Sequence, residues 1–174
     1  MRIALPAAAI LVASSAVAAE EGWREFSFPE SGFAAEYPAR PSVATRDYQT
    51  TQTPEGIVSE RVYSMDSGGV IYSVEVADFT RTRADKDPTI EEAARTVLAM
   101  GKMTHDESGA RVDFNYGREI RIEDGAGGSI TDGIFFINHK LYQLRVTFPA
   151  GNTDPAGSSG IHFFQQTFRL LSGY

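Results

Sequence analysis

The chain has 174 residues, 16 of them Lys or Arg and 23 Asp or Glu, for a formal net charge of −7, and it contains no cysteine. An acidic balance of this size repels phosphate backbones, which counts against nucleic acid as a partner. The lack of cysteine excludes disulfide staples, thiol catalysis and thiolate-bound metal, so the fold has to stand on its core alone.

The N-terminus reads as an export signal. Arg2 supplies a short positive region, Ile3 to Ala13 is an almost unbroken apolar segment, and Ala16-Val17-Ala18 fits a small-residue cleavage site. Spanning a bilayer takes about twenty apolar residues, more than this run offers. Residues 1–19 are therefore expected to be a signal peptide and residues 20–174 a single domain, periplasmic or secreted after cleavage. Losing Arg2 changes the balance from 16 and 23 to 15 and 23, a net charge of −8. No cysteine stands at the boundary to carry a lipid, and no later segment has the length of a membrane span. A mature domain of about 150 residues buries roughly two-thirds of its unfolded surface, enough for one core.

Two short strands come first, Trp23 to Phe28 and Phe33 to Tyr37, joined across Pro29-Glu30-Ser31-Gly32. Pro38 and Pro41 then hold the chain extended. Val43 to Thr51, Ile57 to Met65 and Val70 to Phe79 follow as an antiparallel meander, separated by Pro54-Glu55-Gly56 and Ser67-Gly68-Gly69. In the third of these, Val70, Tyr72, Val74 and Val76 share a face.

The period changes after Asp85. Ile90, Ala93, Ala94, Val97 and Leu98 form one apolar stripe of a helix that packs on a sheet and ends near Gly101 to Met103. Its start is expected at Asp87 as cap with Pro88 in the first turn, or at Thr89 with Glu92 completing a capping box. Arg111 to Glu123 is strand-like with a break at Gly117, and Asp124 to Gly128 turns the chain. Beyond Phe148 a loop leads through Asp154-Pro155 to a helix over Ser158 to Thr167, with Ile161, Phe164 and Phe168 on one side.

Ser129 to Phe148 is the clearest hairpin. Tyr142, Leu144, Val146 and Phe148 alternate with Gln143, Arg145 and Thr147, the period of a strand with one apolar face. A three-residue loop at Asn138-His139-Lys140 would pair Phe136 with Tyr142, Ile134 with Leu144 and Ile130 with Phe148. A two-residue loop would place Ile134 opposite Gln143 and Gly133 opposite Leu144, splitting the apolar face, so the longer loop is expected. On that register Phe135, Ile137 and Leu141 fall opposite the core set, which makes them a candidate protein-contact patch; a covering helix layer is the plainer alternative.

Catalytic chemistry is hard to find. His105-Asp106-Glu107 reads as a solvated loop after the helix, His139 as a turn residue and His162 as a helical residue at a sheet edge. The acidic group Asp85, Asp87, Glu91 and Glu92, and the pair Glu123-Asp124, match no calcium-loop spacing. Gly125 to Ser129 precedes a strand, so no helix N-terminus is there to hold a phosphate. The common hydrolase signatures are absent. Neither a metal nor another cofactor is expected.

The order of signals resembles the PsbP-like domains. Phe33 to Pro41 follows the pattern F-x-x-x-F/Y-P-x-x-P, and three meander strands, a capped central helix, the strand Lys140-Leu141-Tyr142-Gln143-Leu144-Arg145-Val146, and Thr167-Phe168-Arg169-Leu170 follow in the same sequence. The resemblance implies an α+β fold, an α/β/α sandwich around a twisted, mainly antiparallel sheet, and a non-enzymatic accessory role. The expected function is thus an exported binding or assembly-accessory protein whose partner is another envelope protein. A hydrolase with a scattered site and a small-ligand or metal carrier are the alternatives.

Overall fold

The computed structural model describes residues 22–151 and 164–172. The architecture is α+β. Ten strands are present among these residues: β1 (Arg24–Phe28), β2 (Phe33–Tyr37), β3 (Ser42–Gln49), β4 (Ile57–Ser67), β5 (Val70–Asp78), β6 (Gly101–Val112), β7 (Asn115–Asp124), β8 (Ser129–Ile137), β9 (Lys140–Phe148) and β10 (Arg169–Leu170). One helix, α1 (Lys86–Leu98), lies between β5 and β6, and residues 164–167 form a further helical turn. Seven strands make the main sheet in the order β3-β4-β5-β9-β8-β7-β6, with every neighbouring pair antiparallel. A small sheet, β1-β2-β10, stands apart from it.

Each face of the main sheet has its own cover. On one side the small sheet and the 164–167 turn pack onto Tyr63, Val74, Tyr142, Leu144 and Val146. Rings dominate: Phe28, Phe33, Tyr37, Phe164 and Phe168 interlock with Tyr63, Tyr72 and Tyr142 at centroid distances of 4.4–6.5 Å. The buried phenols find partners, as the low-dielectric interior requires. Tyr142 donates to the Ser31 carbonyl (2.8 Å), and Tyr37 donates to the Tyr63 carbonyl (3.3 Å). On the other side α1 lays Ile90, Ala93, Ala94 and Val97 on Ile120, Ile122, Ile134 and Leu141. The helical layers expected on both sides therefore meet one helix on one side and a small sheet with a helical turn on the other. The expected signal peptide and most of the expected last helix lie outside the described residues.

The hairpin register differs from expectation. Phe135 pairs with Tyr142, Gly133 with Leu144 and Ser129 with Phe148, so the loop is the two residues Asn138 and His139. Both have positive φ (50° and 58°), the combination of a type I′ turn, whose twist matches the flanking strands. The one-sided pattern misled because both faces of β8 and β9 are buried, and splitting the apolar set between two cores costs nothing. Gly133, opposite Leu144, leaves room for the Phe135 ring and the Gln165 side chain.

Two other boundaries move. α1 starts at Lys86, and the Asp85 carbonyl accepts both the Thr89 amide and its hydroxyl, so neither Asp87 nor Thr89 caps it. Pro88 is tolerated there because first-turn amides have no partner within the helix. The helix stops at Leu98, and Gly101 opens β6, which carries His105-Asp106-Glu107 in a strand rather than a loop. Nearly all of β6 is exposed on both faces, so it has no alternation to read. Phe114 then lies in the turn to β7 instead of inside one continuous strand.

Candidate binding edge and groove

The apolar residues of the hairpin do not form a surface. Phe135, Ile137 and Leu141 are 3%, 6% and 1% exposed, the first two in the aromatic core and the third beneath α1. His139 is in the β8–β9 turn with its ring edge-on to Phe136. His105 lies on the exposed edge strand β6, with Nε2 3.6 Å from Glu107. His162 is outside the described residues. Among those residues no group of three or more His, Asp or Glu side chains is placed to hold a metal ion.

The acidic residues near α1 have structural tasks. Glu91 and Asp106 share Arg118 at 2.7 Å each, tying β6 to the helix. Glu92 accepts the Thr51 amide (2.7 Å), both the Thr50 and Thr51 hydroxyls (3.1 Å each) and the Gln52 side-chain amide (3.0 Å), so it pins the β3–β4 loop to α1. Burial pushes its carboxyl upward, but these hydrogen bonds outweigh that and hold it below the usual carboxylate range. Asp124 folds the turn after β7 by accepting the amides of Ala126 and Gly128.

A different set of charges converges on the α1 face of the sheet, beyond the end of the helix. Arg46 comes from β3, Glu60 from β4, Glu75 from β5, Arg145 from β9 and Asp132 from β8. Alternation turns each of them to the α1 face, and the strand order 3-4-5-9-8 lines them up across the sheet. Arg46 bonds Glu60 through Nε and reaches Glu75 at 3.0 Å. Arg145 bridges Glu75 (3.1 Å) and Asp132 (2.7 Å), and Gln143 also donates to Asp132 (3.1 Å). Glu60, Glu75, Asp132 and Gln143 are buried, whereas the Arg46 side chain is 54% exposed at the open end.

This row is an expensive one to keep. Removing charges from water costs several kcal/mol per ion before pairing recovers it. Burial raises the Glu75 carboxyl above its ordinary range, against the pull of Arg145 and Arg46. For Arg145 burial works against the charge, but Asp132 and Glu75 more than compensate, so it stays a cation. One oxygen of Asp132 takes all three hydrogen bonds, and the other, Oδ1, is buried without a protein partner.

Above the row is a groove of about 240 Å³. Arg46 and Tyr48 of β3 line one wall, Thr96 and Met100 at the C-terminal end of α1 the other, and Glu60, Glu75 and Arg145 the floor. Outside the groove β3 is the last strand of the sheet, and seven of its eight residues are exposed. No other described strand pairs with its outer side. Sequence reasoning missed this site because its members are spread from residue 46 to residue 145. The one available signal was Glu75 and Asp132 standing inside otherwise apolar strands.

No protein-family model matches the chain, and no curated protein matches it. Its structure does match a solved one, the solution structure of cyanobacterial PsbP (CyanoP) from Synechocystis sp. PCC 6803, with a TM-score of 0.53 at 12% sequence identity. The match covers 91% of this chain and 98% of that one. The fold is PsbP-like. At that identity the likeness concerns the fold alone, and it agrees with the resemblance read from Phe33 to Pro41 and from the order of elements. Among the described residues no helix is long and apolar enough to cross a membrane.

Proposed function

We propose that this protein is an exported, non-enzymatic binding or assembly-accessory protein of the cell envelope, and that the β3 edge with its groove is the surface it works through. The observation that carries this is the ionic row from Arg46 to Asp132: buried charge, costly to desolvate, open to solvent at one end beside a strand whose outer side no other described strand pairs. The PsbP-like fold supports the accessory role through the non-catalytic character that the resemblance implies. Residues 1–19, with their positive start, apolar run and Ala-Val-Ala site, support export.

Crosslinking affinity capture from the native cell envelope tests the proposal, with the captured proteins identified by mass spectrometry. One stoichiometric envelope partner is expected. A protein that stays uncaptured, yet melts at a higher temperature when a small metabolite or metal ion is added, would be a carrier instead.

A further inference from the structure

We propose that the open edge of β3 takes up an extended segment of a partner protein as an eighth strand, and that a Lys or Arg side chain on that segment enters the groove over Glu60 and Glu75. The inference rests on the binding-protein reading above and specifies its surface and its chemistry.

The two edges of the sheet differ in a way that points to β3. Edge strands offer unpaired N–H and C=O groups, and proteins guard them with bulges, charges and proline. β6 is guarded: its pairing with β7 is broken by irregularities at Met103/His105 and Ser108/Ala110, and Lys102, His105, Asp106 and Glu107 line it. β3 has an unbroken register of eight pairs with β4 from Ser42 to Gln49, no proline and no lysine. Its side chains rest on almost nothing, for only Tyr48 is partly buried. A strand so regular and so little packed presents its outer backbone to whatever pairs with it. Strand addition draws affinity from main-chain hydrogen bonds and specificity from pockets that receive alternate side chains.

The groove supplies that pocket, and its charge selects the occupant. Glu60 and Glu75 line it with Arg46 and Arg145, and Asp132 lies behind Arg145, so three carboxylates meet two guanidinium groups. The groove also runs under the C-terminal end of α1, where Thr96 and Met100 line it and the helix dipole is negative. Both effects favour a cation. Side chains on every second residue of an added strand fall on the face that holds Ala44, Arg46 and Tyr48, next to the mouth of the groove. The remaining side chains fall beside Val43, which is exposed.

The test uses the end-blocked peptide Ser-Val-Thr-Val-Lys-Val-Thr-Val-Ser and a counterpart with Glu in place of Lys, titrated against the protein and followed by amide NMR. The Lys peptide is expected to shift the amides of residues 42–49 and slow their hydrogen exchange, with an affinity at least about tenfold above that of the Glu peptide. Neighbouring residues in an antiparallel strand point their amides to opposite sides, so one of A44P and T45P removes an outward amide only. The one that keeps the native melting temperature should abolish the shifts. Equal binding of both peptides, no binding, or shifts confined to β6 overturns the proposal. So does a dimer that this Pro variant dissolves, because the edge then belongs to a second copy. Envelope capture separates the two levels: a partner recovered equally by the Pro variant overturns the edge site while leaving the binding-protein reading standing, and no partner at all removes both.

Discussion

The two faces of the seven-stranded sheet are built on opposite principles. The face under the small sheet is aromatic, with the phenols of Tyr37, Tyr63 and Tyr142 each carrying a hydrogen bond. The α1 face is apolar only where the helix covers it; past Thr96 it becomes a row of charges at the floor of a groove. Apolar burial stabilises in proportion to area, whereas a buried ionic row at best offsets its own desolvation. The first face holds the domain together, and the second is the one we propose for binding.

Single truncations should cost similar amounts on both faces, for different reasons. Phe33 is fully buried against Phe28, Tyr63 and Phe168, and Phe33→Ala should lower stability by about 3–5 kcal/mol through the cavity it leaves. Arg145→Ala should cost about 3–5 kcal/mol because it strands Asp132 and weakens the pairing of Glu75. Urea unfolding would report both, and a near-neutral Arg145→Ala would break the picture of a tightly paired row. Glu92→Ala should cost less, about 1–2 kcal/mol, since of its partners only Thr50 is buried. Its mark is local: hydrogen exchange at Thr51 and Gln52 should quicken while the amides of β8 and β9 stay protected.

The smallest effect is a slope against pH. Glu92 and Asp106 have folded values below their unfolded ones, so what they contribute is present above the unfolded value and is lost as pH falls through the folded one. Glu75 is raised, so its contribution is present at low pH and is lost as pH rises through its folded value. Glu92 and Asp106 therefore act on the acid side of the ordinary carboxylate range and Glu75 on its alkaline side. Glu75→Gln removes the decline on the alkaline side, so stability should hold level there while the rise on the acid side is unchanged. An unchanged slope would place Glu75 outside the titrating set.

Much of this arrangement was written locally in the chain. The stripe Ile90, Ala93, Ala94, Val97 marked α1 because one face of it is buried, and Val70, Tyr72, Val74, Val76 marked β5 because Ser73 and Glu75 alternate with them, although both faces of that strand are buried. β6 was invisible because it is exposed on both sides, and the β8–β9 register was misassigned because both sides are buried; alternation informs only when the two faces differ. Of the ionic row only Glu75 and Asp132, set among mostly apolar strand residues, gave any sign. Arg145 and Glu75 stand in phase with polar neighbours and look solvent-facing, and only the strand order brings them to Asp132 and Arg46.

The claim that the charged row serves binding rather than stability is tested most directly by replacing its buried part with apolar side chains of similar volume, Glu75→Met, Asp132→Val and Arg145→Met together, and measuring the unfolding free energy. The account predicts a protein as stable as the original or more so, by up to about 4 kcal/mol, that no longer prefers the Lys peptide. A loss of several kcal/mol would contradict it, and would make the row part of what holds the fold together.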